Sequence, residues 1–224
     1  MEFLLDSVNL DEIKAAVEHF PLAGVTSNPS IVKKTHPADF WKHMEQVRTL
    51  IGDKRSLHVQ VIATDKEGMI KDAEAIVAHL GKETYIKVPV SYEGLAAIVE
   101  LKNRGFNVTA TAIYDPMQAF LAYSAGADYM APYYNRIGNN GGDPDELIRS
   151  VSGRIRMEHS DCKLLAASFK SAGQVRNAIE SGTQAVTVGF DVLTQVFKNA
   201  NISKAVNDFN ADWRSMYGDK TLAD

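Results

Sequence analysis

Short runs of β-branched and apolar residues alternate with longer stretches of helical period along the whole chain. The strand-like runs are EFLLD (2–6), GVTS (24–27), LHVQVI (57–62), YIKVPV (85–90), NVTATAI (107–113), DYMAPY (128–133), KLLAAS (163–168) and AVTVG (185–189). Between them, Met69, Ala73, Ile76, Val77 and Leu80 recur at helical spacing over 65–80, and Leu95, Ile98, Val99 and Lys102 do the same over 93–103. Eight strands, each followed by a helix, predict a parallel sheet, either closed into a (β/α)8 barrel or open and doubly wound. The first strand is not followed by the glycine-rich turn of a dinucleotide-binding sheet. No linker or composition shift marks a second domain. Residues 1–224 are therefore read as a single domain with an additional C-terminal helix at about 201–217; a single (β/α)8 TIM barrel is the expected form, with the open sheet as its alternative. On that helix Ile202, Val206, Phe209, Trp213 and Met216 form one apolar stripe, which needs an apolar surface on its own barrel or on a neighbouring subunit.

Alternation within the strands shows where polar groups converge. In YIKVPV, Ile86, Val88 and Val90 share one face, and Tyr85, Lys87 and Pro89 the other. Helices cover the outside of a barrel, so the apolar set points outward and Lys87 inward. By the same rule Val59 and Val61 point outward and Gln60 inward. Thr109, Thr111 and Ile113 share a side, as do Tyr129, Ala131 and Tyr133. Asp6 closes the first strand, Thr26 and Asn28 follow the second, and Ser168 closes the seventh. These residues meet at the C-terminal mouth, where barrel enzymes assemble their sites. A strand end near water also tolerates a polar residue, so no single position decides the matter; the coincidence over six or seven strands is harder to dismiss.

Lys87 carries the most chemistry. A lysine inside a barrel loses hydration, which disfavours the ammonium and lowers its pKa. The neutral amine can attack a carbonyl and form a Schiff base, whose protonated nitrogen withdraws electrons from the adjacent carbon. The alternative is a charge snorkelling to water from a strand end. Tyr133 can move a proton through its phenol, whereas Gln60 and Thr111 can hold a water but not ionise. Asp6 is placed to pair with the lysine or to cap a turn.

For anions, PYYNRIGNNGGDPDELI supplies Arg136 before a helix opened by Asp143–Pro144, and AASFKSAGQ places Ser168 and Lys170 before the next helix. Arg136 with Ser168 forms a candidate phosphate clamp, a surface ion pair being the alternative for the arginine. The six histidines (19, 36, 43, 58, 79 and 159) have no metal-ligand spacing, no GxSxG elbow occurs, and the lone Cys162 reads as core.

A formal charge of -4 supplies no basic field for nucleic acid or an anionic membrane. No apolar run approaches the roughly 18 residues of a membrane span, and the acidic start differs from a secretory signal. With one cysteine no internal disulfide can form. The expectation is a soluble, cytoplasmic protein.

The segments PLAGVTSNPSI, YIKVPVSYEGLAAI, ATAIY, APYYNRI and LLAASFK resemble the short-chain transaldolase family, most closely its fructose-6-phosphate aldolase members. The similarity runs from LLD at 4–6 to the C-terminal tryptophan region. It implies a (β/α)8 barrel and a class I aldolase in which Lys87 is the Schiff-base residue, with sugar phosphates as substrates and no metal or other cofactor. It implies further that Gln60, Thr111 and Tyr133 hold a proton-carrying water and that Asp6, Thr26 and Asn28 contact the dihydroxyacetone unit and the lysine. Arg136 and Ser168 match the phosphate binders. Transaldolases of this length typically carry glutamate and phenylalanine where this chain has Gln60 and Tyr133, so transaldolase is the alternative activity, and a non-catalytic sugar-phosphate-binding protein a further one. The family also implies a homo-oligomer, pentamer or decamer, with the 201–217 stripe on a neighbour. The chain departs from the aldolase pattern at Gly189 and Phe190, where a proline and an aliphatic residue are usual.

Overall fold

A computed structural model describes all 224 residues. Its elements are β1 (Glu2–Asp6), α1 (Leu10–His19), β2 (Leu22–Thr26), α2 (Pro29–Thr35), α3 (Phe40–Ile51), β3 (Ser56–Gln60), α4 (Lys66–Leu80), β4 (Tyr85–Pro89), α5 (Tyr92–Asn103), β5 (Asn107–Ile113), α6 (Pro116–Ser124), β6 (Tyr129–Pro132), α7 (Tyr134–Asn139), α8 (Pro144–Met157), β7 (Lys163–Ala166), α9 (Ala172–Glu180), β8 (Ala185–Val188), α10 (Phe190–Gln195) and α11 (Ala200–Tyr217). Each strand pairs in parallel with its sequence neighbour and β8 returns to β1, so the sheet is a closed barrel and the open alternative falls away. Helix starts follow the strands closely because side-chain caps are placed there. Asn28 accepts from Ile31 N, Ser91 from Gly94 N, Asp143 from Asp145 N and Glu146 N, and Ser171 from Gln174 N. The second strand begins at Leu22, two residues before the GVTS run, because Leu22 already pairs with Phe3.

The alternation rule holds for most inward and outward assignments. Val59, Val61, Ile86 and Val88 belong to the large apolar layer between barrel and helices. A separate small cluster of Leu4, Tyr129, Leu165 and Ala185, with Tyr85 packed on it, fills the barrel interior. Ile113 is the exception: it joins the outer layer and not the side of Thr109 and Thr111. The cause is a register shift between Ala110 and Ile113, where Ala112 adopts a left-handed φ of 57° and breaks the two-residue period.

The N-terminal end of the barrel is plugged. His58 stacks on Tyr85 at 4.6 Å and meets Tyr129 edge-on at 5.1 Å. Tyr129 Oη and Lys163 Nζ donate to the two carboxylate oxygens of Glu2 at 2.8 and 2.6 Å. The helix α11 has no buried residue: Ile202, Val206, Phe209 and Met216 are exposed, Phe209 at 70%. No helix is long and apolar enough to cross a membrane.

Candidate active site

A cavity of ≈ 200 Å³ opens at the C-terminal mouth. Six of the nine residues assigned to a site from sequence line it: Asp6, Asn28, Lys87, Tyr133, Arg136 and Ser168. They come from β1, from the α2 cap, from β4, and from the segments that follow β6 and β7, so the closed barrel brings together residues up to 162 positions apart (Asp6 to Ser168).

Lys87 sits mid-strand, flanked in register by Gln60 on β3 and Thr109 on β5. It is 2% exposed, and its amine has neither a hydrogen bond nor an ion pair within the chain. Burial lowers its pKa from the ordinary lysine value, and the charge of Asp6 opposes part of that fall. Asp6 moves the other way. Burial raises its pKa, against the influence of Lys87, of a hydrogen bond from Thr26 and of Lys34. Both groups are thus drawn toward their neutral forms.

A hydroxyl chain holds Asp6. Thr26 Oγ1 donates to Asp6 Oδ1 at 2.6 Å, which leaves it to accept from Thr187 Oγ1, also at 2.6 Å. Thr26 is fully buried and lies beneath the cavity lining, so it reaches the cavity through Asp6. Asn28 spends its side-chain oxygen as the α2 cap, which leaves its amide N–H groups for the cavity.

Tyr133 packs against Tyr114 with ring centroids 5.7 Å apart and accepts a hydrogen bond from Thr111 Oγ1 at 3.3 Å. Burial raises the pKa of its phenol, so the proton stays on. Thr111 is fully buried behind it. Gln60 does not line the main cavity. It borders an adjacent crevice with Ser27, Asn28, Val32 and Phe40, and its buried Oε1 accepts no hydrogen bond from the chain. The guanidinium of Arg136 lies 4.8 Å from the centroid of the Tyr133 ring and donates to Tyr114 Oη at 3.3 Å. Ser168 holds a φ of 65°, a left-handed conformation costly for a non-glycine residue and one that collects at functional sites. Lys170 joins the lining beside it, ahead of α9.

Sequence reasoning missed Thr187, Ser30, Lys34 and Asp191, all on the cavity wall. Thr187 was accessible to the alternation rule, since it shares a face with Ala185, which fills the barrel interior. Ser30 and Lys34 lie one helical turn apart on α2, a spacing that carries no signal by itself. His58, set aside with the other histidines, is a fully buried interior residue that bonds Thr109 Oγ1 at 2.8 Å and Ser56 Oγ at 2.9 Å. Burial keeps its pKa well below the ordinary histidine value, with the charges of Lys87 and Arg48 acting in the same direction. No group of three or more histidine, cysteine or carboxylate side chains is arranged to hold a metal ion.

Comparison with known proteins follows the same line. Residues 3–221 match the family model described as Transaldolase/Fructose-6-phosphate aldolase. The chain is 51% identical over 213 residues to a "Probable fructose-6-phosphate aldolase" of Streptococcus pneumoniae (strain ATCC 700669 / Spain 23F-1), covering 95% of this chain and 96% of that one. A solved structure described as "Native KDPGal structure" superposes with a TM-score of 0.58 at 15% identity, over 84% of this chain and 82% of the other. That likeness concerns the fold alone.

Proposed function

The chain belongs to the transaldolase/fructose-6-phosphate aldolase family, and we propose that it is a class I aldolase that cleaves fructose 6-phosphate reversibly to dihydroxyacetone and glyceraldehyde 3-phosphate. The observation that carries this reading is the amine of Lys87, buried at the barrel axis, free of partners and facing the cavity. In its neutral form the nitrogen attacks C2 of the ketose, water leaves, and a protonated iminium forms. Loss of the C4 hydroxyl proton then lets the C3–C4 bond break, with its electron pair drawn into the iminium to give an enamine. Protonation at C3 and hydrolysis release dihydroxyacetone and restore the amine. The iminium is itself the electron sink, so the scheme assigns no step to a metal or organic cofactor.

Tyr133 is assigned the proton transfers, relayed through a water held with Thr111 and Gln60. Its raised pKa favours service as the acid, and the hydrogen bond from Thr111 fixes the phenol. Asp6, steadied by Thr26, and Asn28 are assigned to the donor hydroxyls. Arg136 and Ser168, with Lys170 nearby, are assigned to the phosphate.

The reading carries with it a cytoplasmic location and a homo-oligomer of five or ten subunits, in which the exposed stripe of α11 packs on a neighbour. Fructose 6-phosphate supplied alone tests the activity. Net release of dihydroxyacetone is expected, and strict dependence on erythrose 4-phosphate would mark a transaldolase instead.

A further inference from the structure

The two residues assigned to the phosphate stand on separate segments, Arg136 in the first turn of α7 after β6 and Ser168 in the connection after β7. Backbone hydrogen bonds join these segments as far as Ser168: Tyr134 N donates to Ala167 O at 2.9 Å and Asn135 N to Ser168 O at 3.3 Å. The left-handed φ of 65° at Ser168 persists in a serine only where the surroundings hold it. Part of the hold is apolar, since the next residue, Phe169, is buried with its ring 5.5 Å from that of Tyr134.

Beyond Ser168 a single side chain spans the two segments. Gln174, half-buried in the first turn of α9, accepts from Lys170 N through Oε1 at 2.7 Å and donates from Nε2 to Asn135 Oδ1 at 2.9 Å. A backbone N–H can only donate, so the bond from Lys170 fixes the orientation of the Gln174 amide, and Asn135 must then present its oxygen. One amide thus ties the residue next to Arg136 to the residue two beyond Ser168. Gln174 and Asn135 do not line the cavity, so their influence on a bound phosphate passes through these segments.

We infer that Gln174 is a positioning residue for the phosphate clamp, locking the segments of Arg136 and Ser168 in one arrangement before substrate arrives. The inference rests on the assignment of those two residues to the phosphate. A clamp already held in its binding geometry gives up little conformational freedom when the ligand enters, whereas a released one must be ordered at that moment and binds more weakly. Loss of the brace should therefore weaken the hold on the phosphate and leave the amine of Lys87, on β4, as it was.

The test compares two acceptors, glyceraldehyde 3-phosphate and glyceraldehyde, each condensed with dihydroxyacetone by the full-length protein. Gln174→Met keeps the length of the side chain without either hydrogen bond. It should raise KM for the phosphorylated aldehyde by about tenfold and leave KM for glyceraldehyde, and kcat with both, within about twofold. Asn135→Ala cuts one arm of the brace and should give a smaller rise with the same selectivity. Added to Gln174→Met it should produce no further rise, because both changes act through one link. An unchanged KM for glyceraldehyde 3-phosphate, or equal rises for the two aldehydes, overturns this inference alone; should Gln174→Met fail to fold, the same outcomes in Asn135→Ala decide it. A wild type with one KM for both aldehydes overturns the phosphate assignment together with it, and a wild type that condenses neither overturns the aldolase reading as well.

Discussion

Asp6 on β1 and Lys87 on β4 face one cavity without joining in an ion pair, and burial moves their pKa values toward each other. The amine therefore titrates below the ordinary lysine value of about 10.4. The rate of Schiff-base formation should rise with pH and level off at a midpoint below that value. Asp6→Asn removes the charge that props the amine's pKa up, so the midpoint should fall further. Borohydride-trapped adduct measured against pH reads both; an ordinary lysine midpoint, or an upward shift in the variant, would contradict the assignment.

The same shift sets a stability slope. Between the folded and unfolded pKa values of Lys87 the unfolded chain binds more protons, so its contribution to stability grows as pH rises through that window. The folded value is the lower of the two, so the window ends near 10.4. Lys87→Met should be more stable than wild type at neutral pH, by about 1.4 kcal/mol per unit of depression, with the difference shrinking toward alkaline pH. Urea denaturation at several pH values provides the check.

Tyr133 should be separable from Lys87. Tyr133→Phe keeps the ring against Tyr114 and under Arg136 but removes the hydroxyl that accepts from Thr111. Cleavage of fructose 6-phosphate should fall by about 10²-fold or more, while adduct formation with dihydroxyacetone persists. Combined with Gln60→Glu, the change should move product partitioning toward transfer to an aldose phosphate. Unchanged partitioning defeats the assignment.

Much of this arrangement was legible in the sequence because one rule governs it. With helices outside, two-residue alternation orients every strand residue, and it placed Lys87, Tyr85, Tyr129 and the outward valines correctly. The rule failed at Ile113, where the left-handed Ala112 adds a bulge that no residue type announces. It also says nothing about depth. Thr26 and Thr111 point to the interior yet act from beneath Asp6 and Tyr133, because a neighbour's side chain lies over each. Lys34 and Asp191 belong to helices beyond the strands, and only the ring closure that sets β8 beside β1 brings them to one wall.

Arg136 is held on an aromatic shelf, its guanidinium over Tyr133 and bonded to Tyr114. Arg136→Ala should raise KM for phosphorylated substrates about 10- to 100-fold with a smaller change in kcat, as expected for loss of a charge-assisted contact worth roughly 1.5–3 kcal/mol. Arg136→Lys should restore only part, since an ammonium cannot bond in the planar fork. An equal loss with unphosphorylated aldehydes would show that the arginine does not read the phosphate.

The helix α11 exposes Ile202, Val206, Phe209 and Met216 along one face. Light scattering should show a multimer of the 24.6 kDa chain, and Phe209→Glu should dissociate or weaken it. A wild-type monomer would contradict the proposed assembly.

The most direct test of the central claim is reduction with borohydride in the presence of fructose 6-phosphate, followed by peptide mass spectrometry. A three-carbon unit joined to Lys87, absent from Lys87→Met, is the expected result. An unmodified Lys87, or full turnover in the methionine variant, would contradict it.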